Sequence, residues 1–140
     1  MISFHKLGLD FQPKKKNSLR KWINAIAEQE KHTIGNINYV FCSEDELLKL
    51  NTQYLKHKSH TDIITFDYSD KNKISGDIFI SVERVTENAK KYNTTFDDEL
   101  HRVLIHGILH LCGYKDKTDE QEKIMRKKED KALLLRSKLI

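Results

Sequence analysis

The stretch His106–Asp116, HGILHLCGYKD, constrains this chain more than any other part of the sequence. Apolar residues recur before and within it at spacings of three and four, which predicts a helix. His106 and His110 are four positions apart, so on a helix both side chains project from one face, close enough to bind one metal ion. Gly113 predicts the end of that helix, because glycine adopts the left-handed conformation at little cost.

Asp116 is placed to supply a third ligand once the chain turns back after the glycine. Two neutral imidazoles and one carboxylate suit Zn²⁺, and three protein ligands leave a fourth coordination position open, as in catalytic zinc sites. Structural zinc sites usually have four protein ligands, often cysteines. The sequence offers no fourth ligand at a natural spacing, although distant histidines could contribute one: His57, His60 or His101. We therefore predict one Zn²⁺ ion, bound by Asp116 and the two helical histidines.

The same spacing resembles the zinc-peptidase motif H-E-x-x-H-x-x-G-x-x-H, with one informative difference. Gly107 stands where the peptidases carry the glutamate that acts as general base. Without that carboxylate, ordinary peptide hydrolysis is disfavoured. A glycine inside a helix costs about 1 kcal/mol relative to alanine, so the missing side chain indicates either close helix packing, which we favour, or approach of a substrate to the metal.

Composition limits the class of protein. A chain of 140 residues with 33% charged and 38% apolar residues is expected to form one domain, residues 1–140, with a substantial core. No apolar run approaches the roughly 20 residues of a membrane helix, and the N-terminus lacks a signal core. We therefore expect a cytoplasmic protein without a membrane partner. Cys42 and Cys112 form no C-x-x-C pair and are expected to be buried free thiols. The net charge of +4 permits a polyanionic partner without requiring one.

Hydrophobic patterns predict an α+β fold. Alternating residues indicate about four strands, over 2–11, 37–41, 61–68 and 76–81. Polar capping residues predict five helices, beginning at Asn17 or Ser18, Ser43, Ser81, Thr95 and Thr118. Only a turn links the last two strands, which predicts an antiparallel pair. Together these elements indicate a small mixed sheet, partly parallel, covered by about five helices.

These residues resemble the YbeY family of bacterial endoribonucleases, whose hallmark is H-G-x-L-H-L-x-G-Y-D-H. The chain agrees with every fixed position of that hallmark from His106 to Tyr114. Three further blocks are similar in order and spacing to the family's L-N-x-x-Y/W, T-D-V-L-S-F and G-D-I: LNTQY at 50–54, TDIITF at 61–66 and GDI at 76–78. The resemblance covers about residues 35–130.

The resemblance implies a mostly parallel four-stranded sheet, a zincin-like metal helix, a zinc site and cleavage of single-stranded RNA. It places that activity in ribosomal RNA maturation, at the 3′ end of the small-subunit RNA, and in ribosome quality control. The implied partners are single-stranded RNA and the ribosome, not DNA. A basic loop before the third strand is expected to flank the metal and bind substrate phosphates: Lys56, His57, Lys58 and His60. Thr61 and Asp62 are expected to hold this loop through capping and turn bonds, and the catalytic general base stays unassigned.

Two positions depart from the family pattern. Asp116 replaces the family's third histidine, and its negative charge is expected to make the bound metal a weaker Lewis acid that tolerates harder ions such as Mn²⁺. Leu55 stands where the family has an arginine; the adjacent Lys56 supplies a point charge rather than a bidentate fork. Two alternatives therefore stand beside the nuclease: a ribosome-associated RNA-binding factor with a structural metal, and a metal-dependent hydrolase of another substrate.

Overall fold

The computed structural model describes residues 1–55 and 61–139, with Leu55 described for its backbone only. Within these residues the chain alternates strands and helices before ending in helices: β1 (Ile2–Leu7), α1 (Lys16–Gln29), β2 (Thr33–Cys42), α2 (Glu44–Leu55), β3 (Ile63–Asp67), β4 (Lys73–Ser81), α3 (Val82–Lys91), α4 (Phe96–Leu111) and α5 (Asp119–Leu139). The predicted α+β fold is confirmed. None of the described helices combines the length and the apolar character needed to cross a membrane.

The strands form one sheet in the order β1-β2-β4-β3. β1 pairs with β2, and β2 with β4, in parallel. β3 is an edge strand that pairs antiparallel with β4, with Thr65 opposite Ile78. A mostly parallel four-stranded sheet and an antiparallel final pair were both predicted, and both are confirmed.

The main core lies between the sheet and helices α1, α3, α4 and α5. Its largest fully buried side chains include Trp22 and Tyr39. Both also make a buried hydrogen bond: the Trp22 indole donates to the carbonyl of Ala132 on α5 at 2.8 Å, and the Tyr39 hydroxyl donates to the carbonyl of Leu104 on α4 at 2.8 Å. These bonds fix the two helices that carry the site described below. A smaller cluster lies under α2 on the opposite face.

Four of the five predicted helix caps are confirmed. Their side-chain oxygens accept hydrogen bonds from backbone N–H groups three residues ahead, at 3.1–3.2 Å: Ser43, Ser81, Thr95 and Thr118. The predicted cap of α1 is wrong. That helix begins at Lys16, after Lys15 in a left-handed conformation with φ 55°, and Asn17 lies inside its first turn, where its side chain accepts a bond from Arg20 at 2.8 Å.

The strand boundaries differ from the predicted ones at turns. β1 ends at Leu7 rather than continuing to residue 11, because Gly8 turns the chain with φ +78°. β2 begins at Thr33, four residues early, and passes through a register irregularity between Ile34 and Ile37. Likewise β3 is shorter than predicted and β4 begins three residues earlier.

The two cysteines are free, but only one is fully buried. Cys42 lies in the small cluster under α2, as predicted, whereas Cys112 is half-buried at the exposed end of α4, so the prediction of a buried thiol is wrong there. Burial raises the pKa of both thiols to about 12. At neutral pH they are therefore protonated and poor nucleophiles.

Candidate metal centre

Helix α4 holds both predicted histidine ligands at its C-terminal end. Its apolar face, including Leu104 and Ile108, is buried in the main core. His106 and His110 lie at the border of that face, with 20% and 28% of their side chains exposed. Their rings are nearly perpendicular, with centroids 4.6 Å apart. The helical spacing therefore places the two imidazoles side by side, each partly exposed to solvent.

Gly107 lets this part of α4 approach the sheet closely. A Cβ atom at this position would lie 3.0 Å from both the Cδ1 and Cγ2 atoms of Ile78 and 3.3 Å from Cδ1 of Ile63. These distances are shorter than ordinary van der Waals contacts. The glycine that replaces the peptidase glutamate thus serves helix packing, which is the role we favoured from the sequence.

A Schellman motif ends α4 and turns the chain back. Gly113 has φ +105°; its N–H donates to the carbonyl of His110 at 3.0 Å, and the N–H of Tyr114 donates to that of Leu109 at 3.0 Å. The returning segment brings Asp116 to the histidines. Its Oδ2 atom lies 3.1 Å from Nε2 of His106 and 3.3 Å from Nε2 of His110.

The three donor atoms fit a tetrahedral metal ion. They all lie within 4.8 Å of one another. Zinc bonds to histidine nitrogen and carboxylate oxygen put neighbouring tetrahedral donors roughly 3.4 Å apart, close to the two distances from Asp116 Oδ2. The structure thus brings together all three predicted ligands in a geometry that can bind a metal. That they bind zinc stays a prediction.

Each imidazole is also fixed through its outer nitrogen. Nδ1 of His106 lies 2.6 Å from Oε2 of Glu129, and Nδ1 of His110 lies 2.9 Å from the carbonyl of Tyr114. A carboxylate and a carbonyl only accept, so both Nδ1 atoms are donors. Each Nε2 atom can then present its lone pair to an ion that Asp116 also binds, which is the arrangement that a metal ligand requires.

Glu129 is a buried carboxylate that is compensated by arginines. Only 5% of its side chain is exposed. Oε1 lies 2.9 Å from Arg102 and 3.7 Å from Arg126, and Arg102 also pairs with Asp130 at 2.7 Å. Burial lowers the pKa of His106, but the hydrogen bond and charge of Glu129, with smaller contributions from other carboxylates, outweigh it and raise the pKa overall.

Sequence reasoning missed Glu129 and Arg102. Both act across the contact between α4 and α5, and Glu129 lies 23 positions from His106 along the chain. One signal was present: Glu129 falls in a helical stripe with the apolar residues Met125 and Ala132, and all three are buried. A carboxylate inside an apolar stripe indicates a residue with a buried partner.

The centre opens into a cleft of about 1310 Å³ between α4, α5 and the edge strand β3. Asp62 and Glu99 line it together with the three predicted ligands. Burial is the main cause that raises the pKa of both carboxyls above their ordinary values. The backbone of Asp62 helps to hold β3 in place, because its carbonyl accepts a bond from the N–H of Ser81 at 3.0 Å. Asp62 therefore lies in the wall of the cleft, whereas its role in holding the basic loop stays a prediction.

The predicted substrate-binding residues lie outside the described residues: Lys56, His57, Lys58 and His60. The side chain of Leu55, which replaces the family arginine, is also outside them. Their contact with RNA therefore stays a prediction. The described segment resumes at Thr61, which lines the cleft.

Comparison with known proteins decides the family. The family model described as Endoribonuclease YbeY matches residues 4–136. This chain belongs to the YbeY family. Membership confirms the resemblance drawn from the histidine motif and the assignment to the endoribonuclease class of enzymes, and it extends the match beyond residues 35–130 to nearly the whole chain.

Individual YbeY relatives are similar over most of their length. A protein of Cytophaga hutchinsonii named Endoribonuclease YbeY is 52% identical over 96% of this chain and 95% of its own. Its namesake in Bacteroides fragilis is 47% identical over 96% and 97%, respectively. The solution structure of the Thermotoga maritima protein TM1509 is similar with a TM-score of 0.66 and 33% identity, covering 95% of this chain and 87% of that one.

Proposed function

We propose that this chain is a zinc-dependent endoribonuclease that cuts single-stranded RNA in the cytoplasm. Its proposed roles are maturation of the 3′ end of small-subunit ribosomal RNA and ribosome quality control. One observation carries the proposal: in a chain of the YbeY family, Nε2 of His106, Nε2 of His110 and Oδ2 of Asp116 converge at the side of a large cleft.

The three side chains would hold one ion, and each has a defined part. His106 and His110 present the lone pairs of their Nε2 atoms, while Glu129 and the carbonyl of Tyr114 retain the protons on Nδ1. Asp116 adds negative charge to the site. When bound, a zinc ion supplies an activated water molecule or polarises a phosphoryl oxygen. Arg102 and Arg126 on the cleft wall pair with Glu129, so contact with substrate phosphates is proposed for the basic loop instead.

The proposal is tested by replacing one ligand and one neighbour. Asp116→Ala removes one of the three candidate ligands, so we expect both stoichiometric zinc binding and cleavage of a single-stranded RNA oligonucleotide to be lost. Because the Asp116 side chain is 38% exposed, we expect the fold to persist. Glu122→Ala, which changes an exposed carboxylate in the same cleft, is the matched control and should keep both. Metal analysis, circular dichroism and gel-resolved cleavage measure these outcomes. A wild-type protein that takes up no stoichiometric transition metal would refute the proposal.

Substrate contact is proposed for the basic loop. Lys56→Ala and Lys58→Ala are each expected to weaken RNA binding uniformly across sequences. Each should also reduce the slope of the logarithm of the binding constant against the logarithm of the salt concentration by about one. Zinc content should stay unchanged. Lys127→Ala, an exposed lysine of α5, is the control and should bind RNA as the wild type does. Equal salt slopes for all these variants would contradict a role of the loop in phosphate contact.

A second candidate is favoured by the leucine at position 55. A family member without the arginine fork loses a bidentate phosphate contact. In this alternative, the chain binds ribosomal RNA without cutting it, and its metal ion has a structural role. This alternative predicts that chelation unfolds the protein and that purified protein shifts RNA in a gel without producing fragments. Cleavage by the metal-loaded wild type, abolished in Asp116→Ala, rejects it.

A further inference from the structure

We propose that Glu129 is the positioning residue of the metal centre, and that it sets the affinity of the site by dictating which nitrogen of His106 is free. The inference rests on the proposed metal-binding function of His106, His110 and Asp116. It assigns a role to a residue of α5, a helix that contributes no ligand of its own.

The contact is short, buried and directed at the ligand. Oε2 of Glu129 lies 2.6 Å from Nδ1 of His106, and the carboxylate side chain is 5% exposed. Its other oxygen, Oε1, lies 2.9 Å from Arg102 and 3.7 Å from Arg126. The carboxylate is thus held at both ends. Hydrogen bonds between a carboxylate and the outer nitrogen of a ligating histidine orient the ring and strengthen the ligand.

Removing the carboxylate opens a competing arrangement. Nε2 of His106 lies 3.1 Å from Oδ2 of Asp116, which is hydrogen-bond distance. Without an acceptor at Nδ1, the imidazole can carry its proton on Nε2 and donate it to Asp116. That bond occupies both a nitrogen and an oxygen that the metal needs. Glu129 opposes this state by keeping the proton on the outer nitrogen.

The neighbouring Asp130 provides a matched control. Its Oδ1 atom lies 2.7 Å from the same Arg102, but no described contact joins it to His106. Replacing Asp130 therefore disturbs the ion pairs between α4 and α5 without touching the imidazole. Glu129 is 5% exposed and Asp130 is 57% exposed, so a purely structural role of Glu129 would lower the stability of the fold and leave the Co²⁺ affinity of the folded protein as unchanged as Asp130→Asn leaves it.

The test measures Co²⁺ binding in full-length protein, by visible absorption and by competition with a chromophoric chelator. We expect Glu129→Ala to weaken Co²⁺ binding 10–100-fold and to change the absorption spectrum. Glu129→Gln should give a smaller loss, several-fold, because an amide oxygen still accepts the Nδ1 proton. Asp130→Asn should stay within about twofold of the wild type with an unchanged spectrum. Circular dichroism shows which variants are folded.

Each outcome decides the question. Affinities and spectra of Glu129→Ala and Glu129→Gln that match those of the wild type would overturn the inference. If Glu129→Ala does not fold, the comparison of the two isosteric variants, Glu129→Gln and Asp130→Asn, decides instead, and equal affinities reject the role. RNA plays no part in this readout. A wild type that binds Co²⁺ but leaves RNA intact would reject the proposed nuclease and spare the inference, whereas a wild type that binds no metal would reject both.

Discussion

Each imidazole of the centre is held at its outer nitrogen, and the ligands are therefore oriented by the protein itself. Nδ1 of His106 is held by Glu129 and Nδ1 of His110 by the carbonyl of Tyr114, while Oδ2 of Asp116 lies 3.1 and 3.3 Å from the two Nε2 atoms. Side chains fixed in this way lose little conformational freedom when an ion arrives. Preorganisation of this kind favours tight binding with small structural change.

Asp116→His tests how the carboxylate ligand affects metal choice. The substitution installs the family's third histidine and removes a negative charge and a hard oxygen donor. We expect the preference for Zn²⁺ over Mn²⁺, measured as the ratio of two dissociation constants, to rise at least about tenfold. Asp119→His, an exposed position on the same cleft wall, is the control. An unchanged ratio would show that the third ligand does not set the preference.

The three candidate ligands could be predicted because they are close in the chain. Helix periodicity relates His106 to His110, and the conformation of one glycine relates both to Asp116. Glu129 and Arg102 could not be placed in this way, because their positions depend on how α5 crosses α4. Local rules predict ligands that are close together in the sequence, whereas the side chains that support those ligands are placed by packing between helices.

At the scale of elements, the metal helix is seated by contact with β4. Gly107→Ala gains about 1 kcal/mol of helix propensity but places a methyl group 3.0 Å from two atoms of the fully buried Ile78, and such overpacking costs about 1–3 kcal/mol. We expect a net destabilisation of about 1 kcal/mol, and clearly more for Gly107→Val. Urea unfolding measures both. A Gly107→Ala variant that is more stable than the wild type would show that α4 can move away from β4 at little cost.

A second element contact, between α4 and α5, predicts a pH dependence. Burial, together with the charge of Arg136, lowers the pKa of His101 from 6.5 to about 4. Nδ1 of His101 accepts a bond from Arg136 at 2.8 Å, and the ring packs near Trp22. The unfolded chain binds a proton more readily than the folded one between these pH values. Stability is therefore full above pH 6.5 and falls as the pH decreases towards 4.

His101→Gln should reduce this fall. Allowing for partial solvent exposure, we expect the free energy of unfolding of the wild type to lose roughly 2 kcal/mol more than that of the variant between pH 6.5 and pH 4. Denaturant titrations at several pH values measure the difference. His5→Gln, at an exposed histidine, is the control and should follow the wild type. Parallel curves for all three proteins would contradict a neutral, half-buried His101.

Element boundaries show where local signals suffice. Caps at Ser43, Ser81, Thr95 and Thr118 are recognisable because a side chain and a backbone N–H three residues apart decide them. The start of α1 is set instead by the left-handed backbone of Lys15, which no side-chain pattern announces. The predicted starts of β2 and β4 were wrong for a similar reason, because pairing between these two strands extends both of them beyond their alternating residues.

At the scale of the molecule, the main core contains none of the candidate metal ligands. The main cluster joins the sheet to four helices, while the candidate ligands line the cleft beside it. The order β1-β2-β4-β3 could not be derived from local patterns, because it depends on pairing between residues far apart in the chain. The family resemblance, rather than periodicity, predicted the mostly parallel arrangement.

Chelation should therefore leave the fold intact. We expect the far-ultraviolet circular dichroism spectrum at 25 °C to be the same before and after dialysis against a chelator. Returning zinc at a free concentration of 100 times its dissociation constant should add about 2.7 kcal/mol, which raises Tm on the order of 5–10 °C. Scanning calorimetry measures the shift. Loss of secondary structure on chelation would instead favour a structural metal.

The short spacing between Asp116 and the two imidazoles has a consequence for how the protein acquires its ion. Because the main core includes none of the candidate ligands, loading of the proposed ion would be separable from folding and reversible. The metal-bound fraction of the protein in a cell would then follow the concentration of the free ion. Depletion of that ion would stop the proposed activity without unfolding the protein.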